Sequence, residues 1–131
     1  HYYNTNKQII IANHNVTLPS VGKRDVTLLD QYIINNKKLP QKSELIKLER
    51  QYFDYMINDN KRNRFNNRLK IIADQYNLSL LDKSAYQCNF ENKRCKIFTP
   101  DGDKINYNAH HHTFNGLKYL GGVIHSINWL N

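Results

Sequence analysis

The sequence predicts an α/β fold of three layers, with a mainly parallel sheet flanked by helices. Two observations carry that expectation. Short apolar runs alternate with longer stretches of helical periodicity. The clearest runs, KQIIIA at 7–12 and LSLLD at 78–82, are continuous rather than alternating, as in strands buried on both faces of a parallel sheet. With 131 residues, 40% hydrophobic and 23% charged, the chain suits one domain with a real core and is not disordered in composition. It contains no run of about 18 apolar residues, which excludes a membrane-spanning helix within this stretch. No signal peptide is legible and the first residue is His1, which suits a mature product or a piece of something longer; the features toward the far end of the sequence favour the piece.

The elements follow in order. The first strand is Lys7 to Ala12, ended by the polar Asn13-His14-Asn15. Val16 to Arg24, with Pro19 and Gly22, reads as a loop leaving it. Asp25 to Asn35 places apolar residues at 28, 29, 32 and 33, a helical stripe that Pro40 interrupts. A longer helix starts near Ser43, where Leu45, Leu48, Tyr52 and Met56 share one face. Asn58 to Asn60 breaks it weakly. The pattern resumes through Arg64, Phe65, Leu69, Ile72 and Ala73 to Tyr76, with Asn77 as its stop. The second short buried strand is Leu78 to Asp82; the end of such a strand is where open α/β sheets place ligand loops, although a turn-capping role suits Asp82 better. Lys96 to Thr99 and Lys104 to Tyr107, around Pro100-Asp101-Gly102-Asp103, read as a hairpin or a strand with a Gly turn. Thr113 is a good N-cap for a last helix whose Phe114, Leu117, Leu120, Ile124 and Ile127 should pack back on the sheet.

Charge narrows the partners only a little. Lys+Arg 19 against Asp+Glu 11 gives a net +8, suited to phosphates or anionic surfaces. The excess is spread through Lys7, Lys23-Arg24, Lys37-Lys38, Lys61-Arg62, Arg64, Arg68 and Lys93-Arg94 and forms no dense block, so nucleic acid is not the favoured partner. Cys88 and Cys95 bound a polar stretch, CNFENKRC, that reads as an exposed loop. A local disulfide is natural there and requires an oxidising compartment. Two free thiols are the alternative; a zinc pair is disfavoured by the spacing.

The sharpest chemical feature is His110-His111-His112, between a strand-like segment and a helix. An exposed cluster without a role, a metal site completed by His14, His125 or the cysteines, and a hydrolase histidine all compete. Neighbouring His side chains point in different directions, and no spacing matches a known ligand template. A general base on a loop entering a helix is positioned by that helix and is usually oriented by a nearby carboxylate.

At these residues the chain resembles a family. CKIFTPDGDKINYNAHHHTFNGLKYL is similar to the terminal block of SGNH-type hydrolases, whose fold is flavodoxin-like. It most resembles the SGNH domains fused C-terminally to membrane acyltransferase-3 proteins, which O-acylate cell-surface glycans. Members carry Asp, two residues, His, Leu, Ser or Thr, two residues, Gly. Here His111 takes the catalytic His position, Thr113 the Ser/Thr and Gly116 the Gly, while His112 replaces Leu and Asn108 replaces the Asp. Asn can accept a hydrogen bond from the ring but carries no charge. Asp101 or Asp103 would substitute only if the loop folded back. The resemblance covers most of residues 1–131 and is specific over 62–121; it also implies that Cys88 and Cys95 form an extracytoplasmic disulfide loop.

The family's early Gly-Asp-Ser nucleophile block is not found. Ser20, in LPSVGK, lies in a plain loop, and Asn13 and Asn15 imitate an oxyanion-hole Asn only out of order. A serine mechanism needs both nucleophile and oxyanion hole, so the chain alone should be inactive. The resemblance implies a C-terminal portion of one SGNH-like domain, completed by a missing N-terminal part and a membrane acyltransferase domain. It further implies a cell-surface glycan or lipopolysaccharide-type acceptor, extracytoplasmic membrane tethering in the intact protein, and neither cofactor nor metal. The rival from another class is a non-catalytic basic module holding glycan or nucleic acid. A zinc-dependent nuclease-like fold, with Cys88, Cys95 and the His triplet as ligands, is the third reading.

Overall fold

A computed structural model describes residues 9–13, 17–21 and 25–127. The order is β1 (Ile10–Ala12), β2 (Ser20–Val21), β3 (Val26–Thr27), α1 (Leu28–Asn36), α2 (Lys42–Asn58), α3 (Asn60–Gln75), β4 (Ser79–Leu81), β5 (Cys88–Asn89), β6 (Arg94–Cys95) and α4 (Phe114–Ser126). The fold is mixed α/β with a short parallel sheet: β1 pairs with β4 in parallel, Ile10 opposite Ser79 and Ala12 opposite Leu81. β2–β3 and β5–β6 are separate two-residue antiparallel hairpins. Among the described residues the parallel sheet has two strands, and these are part-exposed rather than buried on both faces. No described helix is long and apolar enough to cross a membrane.

Local chemistry explains the helix ends. Thr27 caps α1: its hydroxyl accepts from Asp30 N at 3.2 Å, while Asp30 Oδ2 accepts from Thr27 N at 3.1 Å, a reciprocal capping box. The weak break at 58–60 is a true boundary, because Asp59 Oδ1 accepts from Lys61 N and Arg62 N and so opens a new helix. Asn77 follows α3 at φ 52°, a left-handed position that Asn tolerates and a β-branched residue would not.

The core lies beneath α2. Leu48, Tyr52, Phe53 and Met56 are buried against Leu18, Leu29, Cys88, Cys95, Ile97 and Ala109. Tyr52 also serves a polar need, because its hydroxyl accepts the buried Leu29 N–H at 3.1 Å. The hairpin of β5 and β6 docks on α2. Arg94 Nε donates to Glu49 Oε2 at 2.7 Å, and Phe90 meets Phe53 edge-on with ring centroids 5.4 Å apart.

Two helical faces differ from expectation. In α3 the buried residues are Arg62 and Ala73, with Asn66 and Leu69 half-buried between them, whereas Phe65 and Ile72 are exposed. Leu69 and Ala73 of the expected stripe do lie on the inward line 62, 66, 69, 73, but Arg62 and Asn66 complete that line in place of Phe65 and Ile72. In α4 only Gly116 and Leu120 are buried, and Phe114 is 80% exposed. Here a glycine sets the phase. An ideal Cβ on Gly116 would lie 2.1 Å from the Ile105 carbonyl oxygen, so backbone meets backbone and Phe114 and Leu117 turn outward.

Candidate functional site

The segment after β6 forms the expected turn without regular strands. Thr99 N donates to Asp103 O at 2.8 Å and Ile105 N to Ile97 O at 2.9 Å, with Gly102 at φ 88° between them. Leu18 N donates to Ala109 O at 3.0 Å, fastening the stretch to the segment before β2. Tyr107 N donates to His111 O at 2.7 Å and closes a tight turn over 107–111. Thr113 locks its exit: the hydroxyl donates to Lys104 O at 2.5 Å and accepts from Gly116 N at 2.9 Å, capping α4.

Within that turn Asn108 organises the histidines. Its Oδ1 accepts the backbone N–H groups of His110 and His111, each at 2.9 Å, and lies 3.0 Å from His111 Nδ1. Two backbone donors fix which end of the amide is oxygen, since the amide NH2 cannot accept them. The third contact then requires a proton on Nδ1 of the neutral ring, which leaves Nε2 with its lone pair. His111 is exposed, so that nitrogen is accessible. The arrangement supplies a hydrogen-bond or proton acceptor on a ring of fixed orientation.

The triplet divides three ways. His110 Nε2 approaches Asp25 Oδ1 at 3.8 Å on the surface. His112 turns inward, with Nδ1 3.1 Å from Asn106 Nδ2. Asn106 Oδ1 takes Gln87 Nε2 at 2.7 Å, so Nδ2 must be the donor toward the ring and His112 is neutral with its proton on Nε2. Burial, and then the neighbouring charge of His111, lower the His112 pKa below the usual imidazole range.

The other candidates separate from this cluster. Asp103 Oδ2 accepts from Asn115 Nδ2 at 3.0 Å, and with Asp101 lines a different concavity beside Lys118 and Tyr119. His111 is oriented by Asn108 and by neither carboxylate. Ser20 pairs with Thr27 in the β2–β3 hairpin, and among the described residues no hydrogen bond joins it to His110 or His111. Asn13 is committed elsewhere. Its Nδ2 donates to Asp82 Oδ1 at 2.6 Å and its Oδ1 accepts from Lys83 N at 2.7 Å, so its amide is a clasp between β1 and β4 and not an oxyanion donor. Asp82 caps its own turn by accepting from Ser84 N at 2.9 Å and Ser84 Oγ at 2.6 Å. Burial alone would raise its pKa, but these bonds and the charge of Arg62 bring it below the usual carboxylate value. His14 and Asn15 lie outside the described residues.

Cys88 and Cys95 are joined in a disulfide directly across the β5–β6 hairpin. Both sulfurs are consumed by it, so neither is a thiolate ligand, and the zinc reading loses its cysteines. Among the described residues no group of three or more His, Cys, Asp or Glu is arranged to hold a metal ion.

Sequence reasoning missed Lys104, whose Nζ lies 2.5 Å from Asp30 Oδ1 and donates to Tyr107 O at 3.1 Å, tying the head of α1 to the histidine turn. It also missed the buried Gln87–Asn106–His112 chain; alternating polar residues in a segment expected as a hairpin gave no signal of it. The chain matches no protein-family model, no curated protein and no solved structure.

Proposed function

We propose that the chain is the C-terminal part of an SGNH-type, flavodoxin-like domain whose intact protein transfers or hydrolyses acyl groups, acetyl foremost, on sugar hydroxyls of cell-surface glycans. One observation carries the reading: His111 Nδ1 sits 3.0 Å from Asn108 Oδ1, immediately before the Thr113-capped α4. The close seat of Gly116 on Ile105 supports it, giving the motif's glycine a steric reason. In this reading His111 Nε2 takes the proton from a serine contributed by the missing N-terminal part and returns it to the leaving oxygen. Asn108 holds the ring and its tautomer but adds no charge opposite the imidazolium that forms. The acceptor is a cell-surface glycan or lipopolysaccharide-type sugar. The domain works on the extracytoplasmic side, tethered through a membrane acyltransferase domain, where the Cys88–Cys95 bond persists.

The test is hydrolysis of p-nitrophenyl acetate by the protein expressed in continuity with its upstream coding sequence, beside the chain alone. The longer protein should turn over and lose activity in His111→Ala, while the chain alone stays at the buffer rate. Because two backbone N–H groups already fix the Asn108 amide, Asn108→Asp restores charge without correcting a tautomer, and the gain should be about 10- to 100-fold. Full activity in His111→Ala would remove the proposal, as would His111-dependent turnover by the chain alone.

A further inference from the structure

The basic residues of α3, dispersed when read along the chain, converge in space. Lys61, Arg62, Arg64 and Arg68, with Phe65, Thr17 and Asp59, line a cavity of about 510 Å³. Positions 61, 64, 65 and 68 recur at helical spacing and share one side of the helix. Among the described residues two carboxylates stand near these four cations, Asp59 in the lining and Asp82 acting on Arg62 by charge, so positive charge remains in excess. Asp59 Oδ1 accepts the N–H groups of Lys61 and Arg62. The same two bonds occupy first-turn amides, so attraction for an anion comes here from side chains and not from the end of the helix.

Arg62 is the decisive member. It is only 9% exposed, it lines the cavity, and its Nε has no hydrogen-bond partner among the described residues. A buried guanidinium N–H without an acceptor is unfavourable, and an oxyanion entering the cavity relieves it. Arg64 and Arg68 are exposed at the same cavity, able to meet the remaining oxygens of such a group. Phe65 is 49% exposed and gives the wall an apolar ring face. The volume falls in the range of small-molecule pockets and exceeds the needs of an inorganic ion.

We infer that this cavity binds a small organic oxyanion, a phosphate carried on a ring, with the phosphate on Arg62, Arg64 and Arg68 and the ring against Phe65. Sugar phosphates and nucleoside monophosphates share that chemistry. The inference is independent of His111 and of the acyl-transfer reading.

Calorimetric titration of the full chain at low salt with inorganic phosphate, glucose 6-phosphate, AMP and neutral glucose tests it. One of the two ring phosphates should bind about tenfold or more tighter than inorganic phosphate, with affinity falling as salt rises. Whichever binds tighter names the source, sugar or nucleotide. The double variant Arg64→Gln/Arg68→Gln changes surface side chains and should weaken binding about tenfold at an unchanged melting temperature. Arg62→Lys keeps the charge but removes the guanidinium fork and should weaken it further; if that variant melts early, the double variant decides alone. The inference is overturned by absence of binding up to about 10 mM of either ring phosphate. It is equally overturned if inorganic phosphate or neutral glucose binds as well as the ring phosphates, or if the double variant binds like the parent.

Discussion

Replacing Gly116 by alanine tests how the head of α4 is seated. The added methyl would stand 2.1 Å from Ile105 O and 2.8 Å from both Ile105 C and Cα. All three are backbone atoms, so no side chain can rotate away. Restoring ordinary contact requires the first turn of α4 to retreat by about 1 Å or more, an overpacking cost of about 1–3 kcal/mol. Retreat also strains the bond from Thr113 N to Ile105 O, 2.9 Å long, whose loss adds about 1 kcal/mol. Alanine's better helix propensity returns up to about 1 kcal/mol. The net expectation is a loss of about 1–3 kcal/mol, a fall in melting temperature of roughly 4–12 °C by circular dichroism. Gly121 and Gly122 on the same helix are the controls. Nothing lies within 4 Å of an added methyl at either, so Ala there should stabilise by up to about 1 kcal/mol. A Gly116→Ala protein as stable as the parent, or controls that destabilise equally, would refute the backbone-contact explanation.

Tyr52→Phe should leave the buried Leu29 amide without its acceptor and cost about 1–3 kcal/mol in urea unfolding; a neutral substitution would show that water replaces the hydroxyl. Serine at both Cys88 and Cys95, or reduction of the disulfide, should cost about 2–3 kcal/mol for so short a loop, read as a lower urea midpoint. Because the folded pKa of His112 lies below its unfolded value near 6.5, the unfolded chain takes that proton first. Stability present above about pH 6.5 is therefore lost as pH falls from there through the folded value; His112→Gln, which keeps an acceptor for Asn106, should flatten that slope. Nitrogen NMR of His111 at alkaline pH should show the Nδ1–H tautomer, and an Nε2–H tautomer would contradict the triple acceptance by Asn108.

Where periodicity was strong, the sequence told much of the fold. Leu48, Tyr52 and Met56 announced the buried face of α2, and Asn58 to Asn60 announced its end. Thr113 as an N-cap and Asn77 as a stop were legible because each has a local mechanism. Packing phase was not. In α3 an arginine and an asparagine occupy the inward line, a choice hydrophobicity alone does not predict, and in α4 the inward contact is made by a residue with no side chain. The two-residue hairpins at 20–27 and 88–95 are too short for alternation to register. At the candidate site, the differing directions of the three histidines followed from their adjacency, whereas the pairing of Asn108 with His111 was expected only through the family resemblance. The inward partner of His112 and the clasp of Asn13 on Asp82 depend on residues far apart in the chain, and spacing carries no information about them.

That clasp bears on how the molecule assembles. Asn13 and Asp82 are 69 residues apart, and the three-residue ladder beside them spans the same interval. Closing so long a flexible loop costs about 4 kcal/mol in chain entropy, a sum that three strand pairs and two side-chain bonds do not readily outweigh. Formation of α1, α2 and α3 first shortens the path, so the strand pair is expected to close late, near the end of folding. The hairpin at the other edge of the core, with its cysteines seven apart, is local enough to close early. Native-state hydrogen exchange should therefore find the amides of β1 opening at lower free energy than those of α2, separating a first-formed nucleus around the hairpin from a sheet that fastens last.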